Sequence, residues 1–508
     1  MAADGSGLPL ETWAGLDMAG VEKLMSSLAI PPRSPALNAL WHRLLTSGTS
    51  APQGVSAQQF LAIRVEGLYR SGLLKEASRL LASANAGSDP VLQILSARQG
   101  IALGEREAGC AAARAASDNR SALPPVLRGE LLVLTGYCGA AGGNLAAAGL
   151  AAELAREEGF DDAVALAVLD AVAAQQPPAV GRQARVSPIQ YRLLQLTKAG
   201  DPTELLDHAD AALLAVLAGD KGTEPHLRLA AAEAAARLNV VGPDDLAAVY
   251  RDQKFAPQEL ADPSARTIDP LSRRALFLQA AEREPDPQRK ARLIRALLDD
   301  SRRTGTYRHV LTAVASMIQE VPRAPELEWF SETAIEAALA SGDLEAARSW
   351  AKSASRGYRS SEHWLALADI ASPRFGGPRG GSLAAVEELA LAGRLSPPLL
   401  HRLVTVLDAL DYQVPMNLWQ VASSTPQPND GYLPETGILP ALLDASQNRQ
   451  YARTVLLAMT ALGPAGPEGA HIIALGDTIR ALRRAGLEAE ARRLGFDAIF
   501  ISWPRTVN

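Results

Sequence analysis

The chain repeats one small pattern five times: a glycine, a small residue five positions later and an alanine twelve positions later. Residues seven apart lie two turns apart on one face of an α-helix, so the two small residues share a face. The glycine falls where one helical pattern stops and the next starts. The pattern therefore predicts helical hairpins whose second helix packs closely on the first through small side chains. The five sets are Gly72/Ala77/Ala84, Gly104/Gly109/Ala116, Gly143/Ala148/Ala155, Gly342/Ala347/Ala354 and Gly486/Ala491/Ala498.

Composition favours the same fold class. Hydrophobic residues make up 47% of the 508 residues but aromatic residues only 5%, so the core must be built mainly from Ala, Leu and Val. Ala and Leu are the strongest apolar helix formers. Most helical patterns are separated by short turns, which makes successive helices antiparallel neighbours. We therefore expect an all-α fold, an α-solenoid of antiparallel helical hairpins.

Charge and hydropathy exclude two kinds of partner. The formal net charge is −6, so the chain has no basic excess with which to hold a nucleic acid. No apolar run approaches the roughly 20 residues that a membrane span requires. We expect no nucleic-acid binding and no membrane span.

Motifs for catalysis, cofactors and metals are also missing. The seven histidines are scattered and none has the spacing of metal ligands. Ser349 and Lys352 fit the Ser-x-x-Lys pattern of penicillin-recognising enzymes, but its companion elements are absent. The same two residues are explained as the exposed side of the helix that carries Ala347. We therefore expect a protein that is not an enzyme and uses no cofactor or metal.

The glycine and alanine spacing resembles the tetratricopeptide repeat, in a degenerate form that lacks most of the family's large aromatic residues. The best match consists of Gly136, Gly143-Asn144, Ala148 and Ala155, and the stretch from Ala340 to Ala354 matches the second half. The resemblance covers residues 56–160 best, then 325–355 and 470–498. It implies a tetratricopeptide-like superhelix that binds another protein.

The chain also resembles Ala-rich alphaproteobacterial proteins, some of which are labelled as related to antifreeze glycopeptides. The Ala-Ala-Thr tripeptide of antifreeze glycopeptides is not present, so ice binding is not expected. What this resemblance implies is an exported, periplasmic protein. Residues 1–7 lack the basic and apolar regions of a secretory signal. We therefore expect a mature periplasmic form without its signal peptide, with a cytoplasmic protein as the alternative.

Proline-rich and polar breaks divide the chain into three predicted segments. The clearest break is the run QQPPAVGRQARV at 175–186. After residue 361 the predicted helices become shorter and the loops longer. The six residues 498–503 fit either a short strand or the last turn of a helix. The predicted segments are an N-terminal helical-repeat segment at 1–176, a central one at 187–358, and a C-terminal helical segment at 361–508 with long loops at 372–382 and 423–437.

Cys110 and Cys138 are the only cysteines. Each lies one or two turns from a hairpin junction, Cys110 after Gly104 and Cys138 before Gly143. Antiparallel neighbouring helices place such positions at the same level, within reach of a disulfide. A disulfide requires an oxidising compartment. The alternative is a pair of buried thiols that act as small hydrophobic residues.

Three tryptophans in successive helical patterns, Trp329, Trp350 and Trp364, fit either core packing or an aromatic groove for a peptide. We favour a non-enzymatic scaffold that binds a protein or peptide partner, in the bacterial cell envelope. The alternative is an envelope enzyme or carbohydrate-binding protein that uses the two long loops, with Arg374 and Arg379 in the first of them. A structural spacer is a third reading. Neither the partner nor the oligomeric state follows from the sequence.

Overall fold

A computed structural model describes residues 7–83, 89–178, 185–197, 206–264, 268–354, 361–372 and 382–505. The regular secondary structure of the described residues is helical, and they contain no β-strand. The only sheet-like pairings among them are two isolated bridges, Val186 with Ala209 and Tyr432 with Ala470. The all-α class predicted from composition is confirmed.

The chain forms two compact units. The middle unit consists of residues 45–47 and 54–241, and the terminal unit of residues 1–44, 48–53 and 242–508. The sequence predicted three consecutive segments. The two units do not test that division, which stays a prediction.

Among the described residues, ten α-helices belong to the middle unit. They are α3 (Ala57–Arg70), α4 (Leu74–Ser83), α5 (Pro90–Leu103), α6 (Arg106–Ser117), α7 (Pro125–Ala141), α8 (Ala146–Glu157), α9 (Ala163–Ala174), α10 (Pro188–Thr197), α11 (Ala211–Gly219) and α12 (Pro225–Arg237).

The remaining helices belong to the terminal unit, except for the last residues of α2. They are α1 (Met18–Ser27), α2 (Pro35–Thr46), α13 (Pro243–Arg251), α14 (Pro257–Ala261), α15 (Pro270–Arg283), α16 (Pro287–Thr304), α17 (Tyr307–Ala313), α18 (Ala315–Gln319), α19 (Ser331–Ser341), α20 (Leu344–Ala354), α21 (Trp364–Ala371), α22 (Ser382–Leu391), α23 (Pro397–Ala409), α24 (Met416–Ser423), α25 (Ile438–Gln447), α26 (Tyr451–Leu462), α27 (Ile472–Arg484) and α28 (Glu488–Phe500).

The glycines that begin the five sequence sets all lie at hairpin turns. Each has a positive φ, between +74° and +93°, which disfavours any side chain with a Cβ. At Gly104 the turn ends α5, and the N–H of Glu105 reaches back to the Gly100 carbonyl at 2.8 Å. This is the usual way for a helix to end before a reversal. The hairpins predicted at these five turns are therefore present as pairs of packed helices: α3/α4, α5/α6, α7/α8, α19/α20 and α27/α28.

The small residues of the sets lie where the paired helices touch. A Cβ added to Gly109 of α6 would lie 2.8 Å from the backbone nitrogen of Ile101 on α5. A Cβ on Gly136 of α7 would similarly meet that of Ala151 on α8 at 2.7 Å. The alanines at 77, 116, 148, 155, 347 and 491 are fully buried. Ala84 lies outside the described residues, and the side chain of Ala354 is not described.

Helix starts follow the capping rules. Ser56 and Gln59 form a capping box at the start of α3, with each side chain accepting a hydrogen bond from the backbone of the other. Asp89 caps α5, which begins with Pro90 in its first turn. The same pairing of a capping Asp with a proline begins α15 and α16. These local signals explain why many helix boundaries could be predicted.

Contacts between α2 and α28 join the beginning of the terminal unit to its end. Asp497 of α28 is 1% exposed and accepts hydrogen bonds from the Ser34 hydroxyl at 2.6 Å and the Ala36 backbone N–H at 2.8 Å. Arg308 of α17 adds an ion pair to the same carboxylate at 2.5 Å. Arg43 of α2 pairs with Glu490 at 2.6 Å. A carboxylate from the end of the chain therefore caps a helix from its beginning.

The short helix α14 begins at Pro257, and the Glu259 side chain accepts a hydrogen bond from the Ala256 backbone N–H at 2.8 Å. Two alternatives were predicted for residues 498–503, a short strand or the last turn of a helix. Residues 498–500 form the end of α28, so the structure contains the helical alternative.

Candidate functional site

The Cys110 and Cys138 sulfur atoms lie at disulfide distance, with their Cα atoms 5.7 Å apart. Cys110 is in the second turn of α6 and Cys138 in the last turn of α7. The structure therefore places the two cysteines as the sequence predicted, at neighbouring hairpin junctions and within disulfide distance. It ties the start of α6 to the end of α7.

An open cavity of about 640 Å³ lies beside this pair in the middle unit. Its lining residues come from the α5/α6 turn, the start of α6, α7 and α10. They are Gly104, Glu105, Arg106, Glu107, Ala108, Tyr137, Arg192 and Gln195.

The floor of the cavity includes the first turn of α6. No side chain caps this turn, because the N-cap residue Glu105 makes no capping hydrogen bond. The first N–H groups of a helix have no partner inside it, and they carry the positive end of the helix dipole. The turn at Gly104 leaves this end facing the cavity.

Arg192 of α10 forms one wall. Its side chain is only 9% exposed, and it donates hydrogen bonds to the Ala102 carbonyl at 3.2–3.3 Å and to Gln195 Oε1 at 3.0 Å. Asp220 lies 3.6 Å from it. A Cβ on Gly104 would come within 3.0 Å of the guanidinium, so the glycine makes room for the arginine.

Tyr137 of α7, the residue before Cys138, also lines the cavity. The residue is 6% exposed, and its hydroxyl forms no hydrogen bond with any residue that the structure describes. Burial raises the pKa of this hydroxyl above its ordinary value, although the Arg192 and Arg106 guanidinium groups oppose the rise. The group is therefore protonated at neutral pH and available as a hydrogen-bond donor.

Several charged groups line the cavity. Arg192 is buried and already lies 3.6 Å from the Asp220 carboxylate. The rim holds Glu105 and Glu107, which are exposed and form no ion pair within the described part of the chain. Arg106 lies at the same rim and donates to the Ala141 carbonyl at 3.3 Å. The exposed charged residues of the cavity are therefore Glu105, Arg106 and Glu107.

A second polar feature runs across the first helices of three successive hairpins. Arg98 of α5 pairs with Glu66 of α3 and, at 3.4 Å, with Glu130 of α7. Each partner is 32 positions from Arg98 in the sequence. The guanidinium lies 4.3 Å from the centre of the Tyr69 ring. We call this row the Glu66–Arg98–Glu130 ladder; it is partly exposed along its length, most of all at Glu66.

The carboxyl group of Asp210 carries a pH-dependent contribution to stability in the same unit. Burial raises its pKa to about 6, although hydrogen bonds from the backbone of Leu213 and Ala212 oppose the rise. The unfolded chain releases this proton near its ordinary pKa of about 3.9. The folded state therefore keeps a proton that the unfolded state has lost, and stability falls as the pH rises from about 4 to about 6.

We expect Asp210→Asn to remove this loss while keeping the cap, because Asn caps helices as well as Asp does. Relative to the wild type, the variant should gain up to about 3 kcal/mol in the free energy of unfolding between pH 4 and pH 7. Urea denaturation at the two pH values measures the change. Asp210→Ala, which loses the cap at every pH, separates capping from titration. An Asn variant that follows the wild type at both pH values contradicts the expectation.

The structure does not bring the three tryptophans to one surface. Trp350 and Trp364 are 1% and 0% exposed, and their indole N–H groups donate to Gln319 at 3.1 Å and Glu332 at 3.2 Å. These two rings fill the core of the terminal unit. Trp329 is half-buried and packs edge-on against Phe330. Of the three, only Trp329 has a ring that a partner in solution can touch.

A buried carboxylate lies close to these tryptophans. Glu336 of α19 is 3% exposed and accepts hydrogen bonds from Arg505. Arg302 lies 3.6 Å away and stacks on Tyr307. Burial raises the pKa of Glu336 to about 7, although hydrogen bonding to Tyr307 and the charge of Arg302 oppose the rise. This network fastens the last described residues of the chain to α19.

Of the two predicted long loops, only the second lies entirely within the described residues. Residues 373–381, which include Arg374 and Arg379, lie outside the described part of the chain. The second loop is described and is held in place by Tyr432, whose backbone N–H donates to the Gly469 carbonyl at 2.8 Å and whose carbonyl accepts from His471 at 2.9 Å. Its ring packs against Gly463.

The described residues hold neither a cluster of metal ligands nor a helix that could span a membrane. No group of three or more His, Cys, Asp or Glu side chains there is placed to hold a metal ion. None of the helices in that part is both long and apolar enough to cross a membrane.

The sequence predicted the pairing of Cys110 with Cys138 but not the cavity beside it. It gave no sign of Arg192, which lies 90 positions from its hydrogen-bond partner Ala102. No periodic or motif signal connects residues that far apart. Comparison with protein-family models, with curated proteins and with solved structures found no match to this chain.

Proposed function

We propose that the chain is a non-enzymatic scaffold of tetratricopeptide-like helical hairpins, arranged as an α-solenoid, which binds a peptide segment of a protein partner. The observation that carries this proposal is the Glu66–Arg98–Glu130 ladder. Its members lie on three successive first helices, α3, α5 and α7, which pack side by side. A stack of equivalent helices is how repeat proteins build an extended binding surface.

In the terminal unit, hydrogen bonds between residues 31 or 32 positions apart also support the interpretation as a repeat. Trp364 and Glu332 are 32 positions apart, and Trp350 and Gln319 are 31 apart. A repeat protein makes most of its contacts between neighbouring repeats, so hydrogen bonds recur at about one repeat length. The tetratricopeptide period of about 34 residues is close to these values.

The ladder also indicates the chemistry of the partner. It carries two carboxylates and one guanidinium, and the Glu66 side chain is 41% exposed. A surface with net negative charge favours a segment that carries a Lys or Arg side chain. We therefore propose a partner segment with a basic residue that contacts Glu66.

For the compartment we propose the bacterial periplasm. Disulfides persist in oxidising compartments, and the cysteine pair has the geometry of one.

Crosslinking followed by affinity capture from the native compartment tests the partner proposal. We expect Glu66→Gln to reduce recovery of a defined polypeptide severalfold, because one carboxylate of the surface is lost. Glu153→Gln is the matched control, since Glu153 is exposed on α8, a second helix. A circular dichroism spectrum and melting curve for each variant establish that the fold is kept. The proposal fails if the wild type captures no defined polypeptide, or if both variants capture it equally.

A further inference from the structure

We infer that the terminal unit contains a second peptide-binding site, which residues 503–505 of the chain itself occupy in this structure and which accepts a partner segment of the same chemistry in their place. These three residues, Trp-Pro-Arg, we call the strap. The partner segment accordingly has an aromatic residue followed by proline and arginine. The Glu66–Arg98–Glu130 ladder belongs to the middle unit, so this inference goes beyond the proposed function and does not depend on it.

The strap is held mainly by its side chains. The chain leaves α28 through the exposed residues 501–502 and then turns inward. The Trp503 ring is 5% exposed and lies nearly parallel to the buried His363 ring, with 6.2 Å between the ring centres. The Trp503 N–H donates to the Phe500 carbonyl at 3.2 Å. His363 Nε2 donates to the Pro504 carbonyl at 3.0 Å. Because the strap belongs to no helix, it can leave its site without unwinding one.

The arginine of the strap fills a buried acidic pocket. The Arg505 guanidinium donates to the Glu336 carboxylate, which is 3% exposed, and to the Tyr307 hydroxyl. Arg302 donates to the same hydroxyl at 2.5 Å and lies 3.6 Å from the same carboxylate. The carboxylate therefore keeps a cation and a hydroxyl beside it when Arg505 leaves. A pocket that is already formed loses less free energy through ordering when a ligand enters it.

The aromatic half of the site is also built without the strap. His363 lies directly before α21, and its ring centre is 5.5 Å from that of Trp364. Trp364 is fully buried and donates to Glu332 of α19 at 3.2 Å. Helices α19 and α21 pack against each other. The same pair of helices therefore positions both the aromatic and the acidic half of the site.

The strap does not satisfy this site completely. The Trp503 indole N–H is buried and has no hydrogen-bond partner in the described part of the chain. A buried donor without a partner costs free energy. Arg302 and Arg505 also share one carboxylate, and their like charges repel each other. A partner segment with phenylalanine in the tryptophan position avoids the first of these costs, which favours its exchange for the strap.

Isothermal titration calorimetry with the full chain and a synthetic peptide tests the inference. The probe is acetyl-Ile-Ser-Trp-Pro-Arg-Thr-amide, which repeats residues 501–506. The opened variant carries Trp503→Ala and Arg505→Ala, so that its own strap no longer competes. We expect the opened variant to bind the peptide about tenfold more tightly than the wild type does, because a tethered segment competes at a high effective concentration.

A second peptide and two further variants locate the site. Replacing the arginine of the peptide by glutamine should weaken binding to the opened variant about tenfold, as expected for the loss of a charged hydrogen bond. Adding Tyr307→Phe to the opened variant should weaken binding of the arginine peptide more than that of the glutamine peptide. Ile501→Ala is the matched control, because Ile501 is exposed beside the strap, and it should bind the peptide as weakly as the wild type.

Three results overturn the inference. These are the absence of peptide binding by the opened variant, equal affinity of the opened variant and the wild type, and equal affinity for the arginine and glutamine peptides. Melting curves establish that each variant is folded at the assay temperature. If the opened variant is not, Arg505→Ala alone takes its place and should still bind more tightly than the wild type. None of these outcomes depends on the ladder, so the two proposals can fail separately.

Discussion

Replacing both Cys110 and Cys138 by alanine is expected to lower the free energy of unfolding by about 3–4 kcal/mol. The disulfide closes a loop between positions 28 apart, and a crosslink stabilises mainly by restricting the unfolded chain. The chain-entropy relation gives about 3.6 kcal/mol for a loop of this length. Urea denaturation of the oxidised wild type and of the double alanine variant, monitored by circular dichroism, measures the difference.

The control for this prediction is the reductant itself. A dithiol such as dithiothreitol should destabilise the wild type, because it reduces the disulfide to two thiols and is oxidised to its own cyclic disulfide. It should leave the double alanine variant unchanged. Two free thiols per chain, titrated in denaturant on protein taken from its native compartment, would contradict both the prediction and the proposed periplasmic location.

The second large effect is expected at Trp364. Trp364→Ala should cost about 3–5 kcal/mol, because the ring is fully buried and its loss leaves a cavity that the surrounding helices fill only in part. Trp364→Phe keeps an aromatic ring but removes the hydrogen bond to Glu332, so its cost should be smaller. Thermal and urea denaturation rank the three proteins.

Trp329→Ala is the matched control, because Trp329 is only half-buried and should cost less than half as much. The comparison also separates the two readings of these tryptophans. If Trp364→Ala keeps the stability of the wild type, the ring is not part of the core. If Trp329→Ala keeps stability but loses the captured partner, Trp329 belongs to the binding surface.

Helix boundaries were largely predictable because their signals are local. Pro125 in the first turn of α7 marks its start, and a capping box marks the start of α3. The side chain of Asp210 likewise caps the start of α11.

The candidate sites also differ in how far the sequence alone predicts them. The Glu66–Arg98–Glu130 ladder joins three first helices that pack side by side, and its members could be picked out only once the helix pairing was known. The tryptophans show the opposite case. Helical spacing placed all three in neighbouring helices, but spacing alone does not say which face is covered. Packing buries Trp350 and Trp364 and leaves Trp329 partly open.

The sequence by itself determined the helical class, the five glycine turns, the small residues at the helix contacts and the pairing of Cys110 with Cys138. All of these depend on interactions within one hairpin or between adjacent ones. Only the tertiary structure placed Arg192 beside the α5/α6 turn, and only it joined Ser34 to Asp497, 463 positions away. Periodicity and capping act over a few turns of helix, whereas contacts at such distances depend on how every helix between them packs.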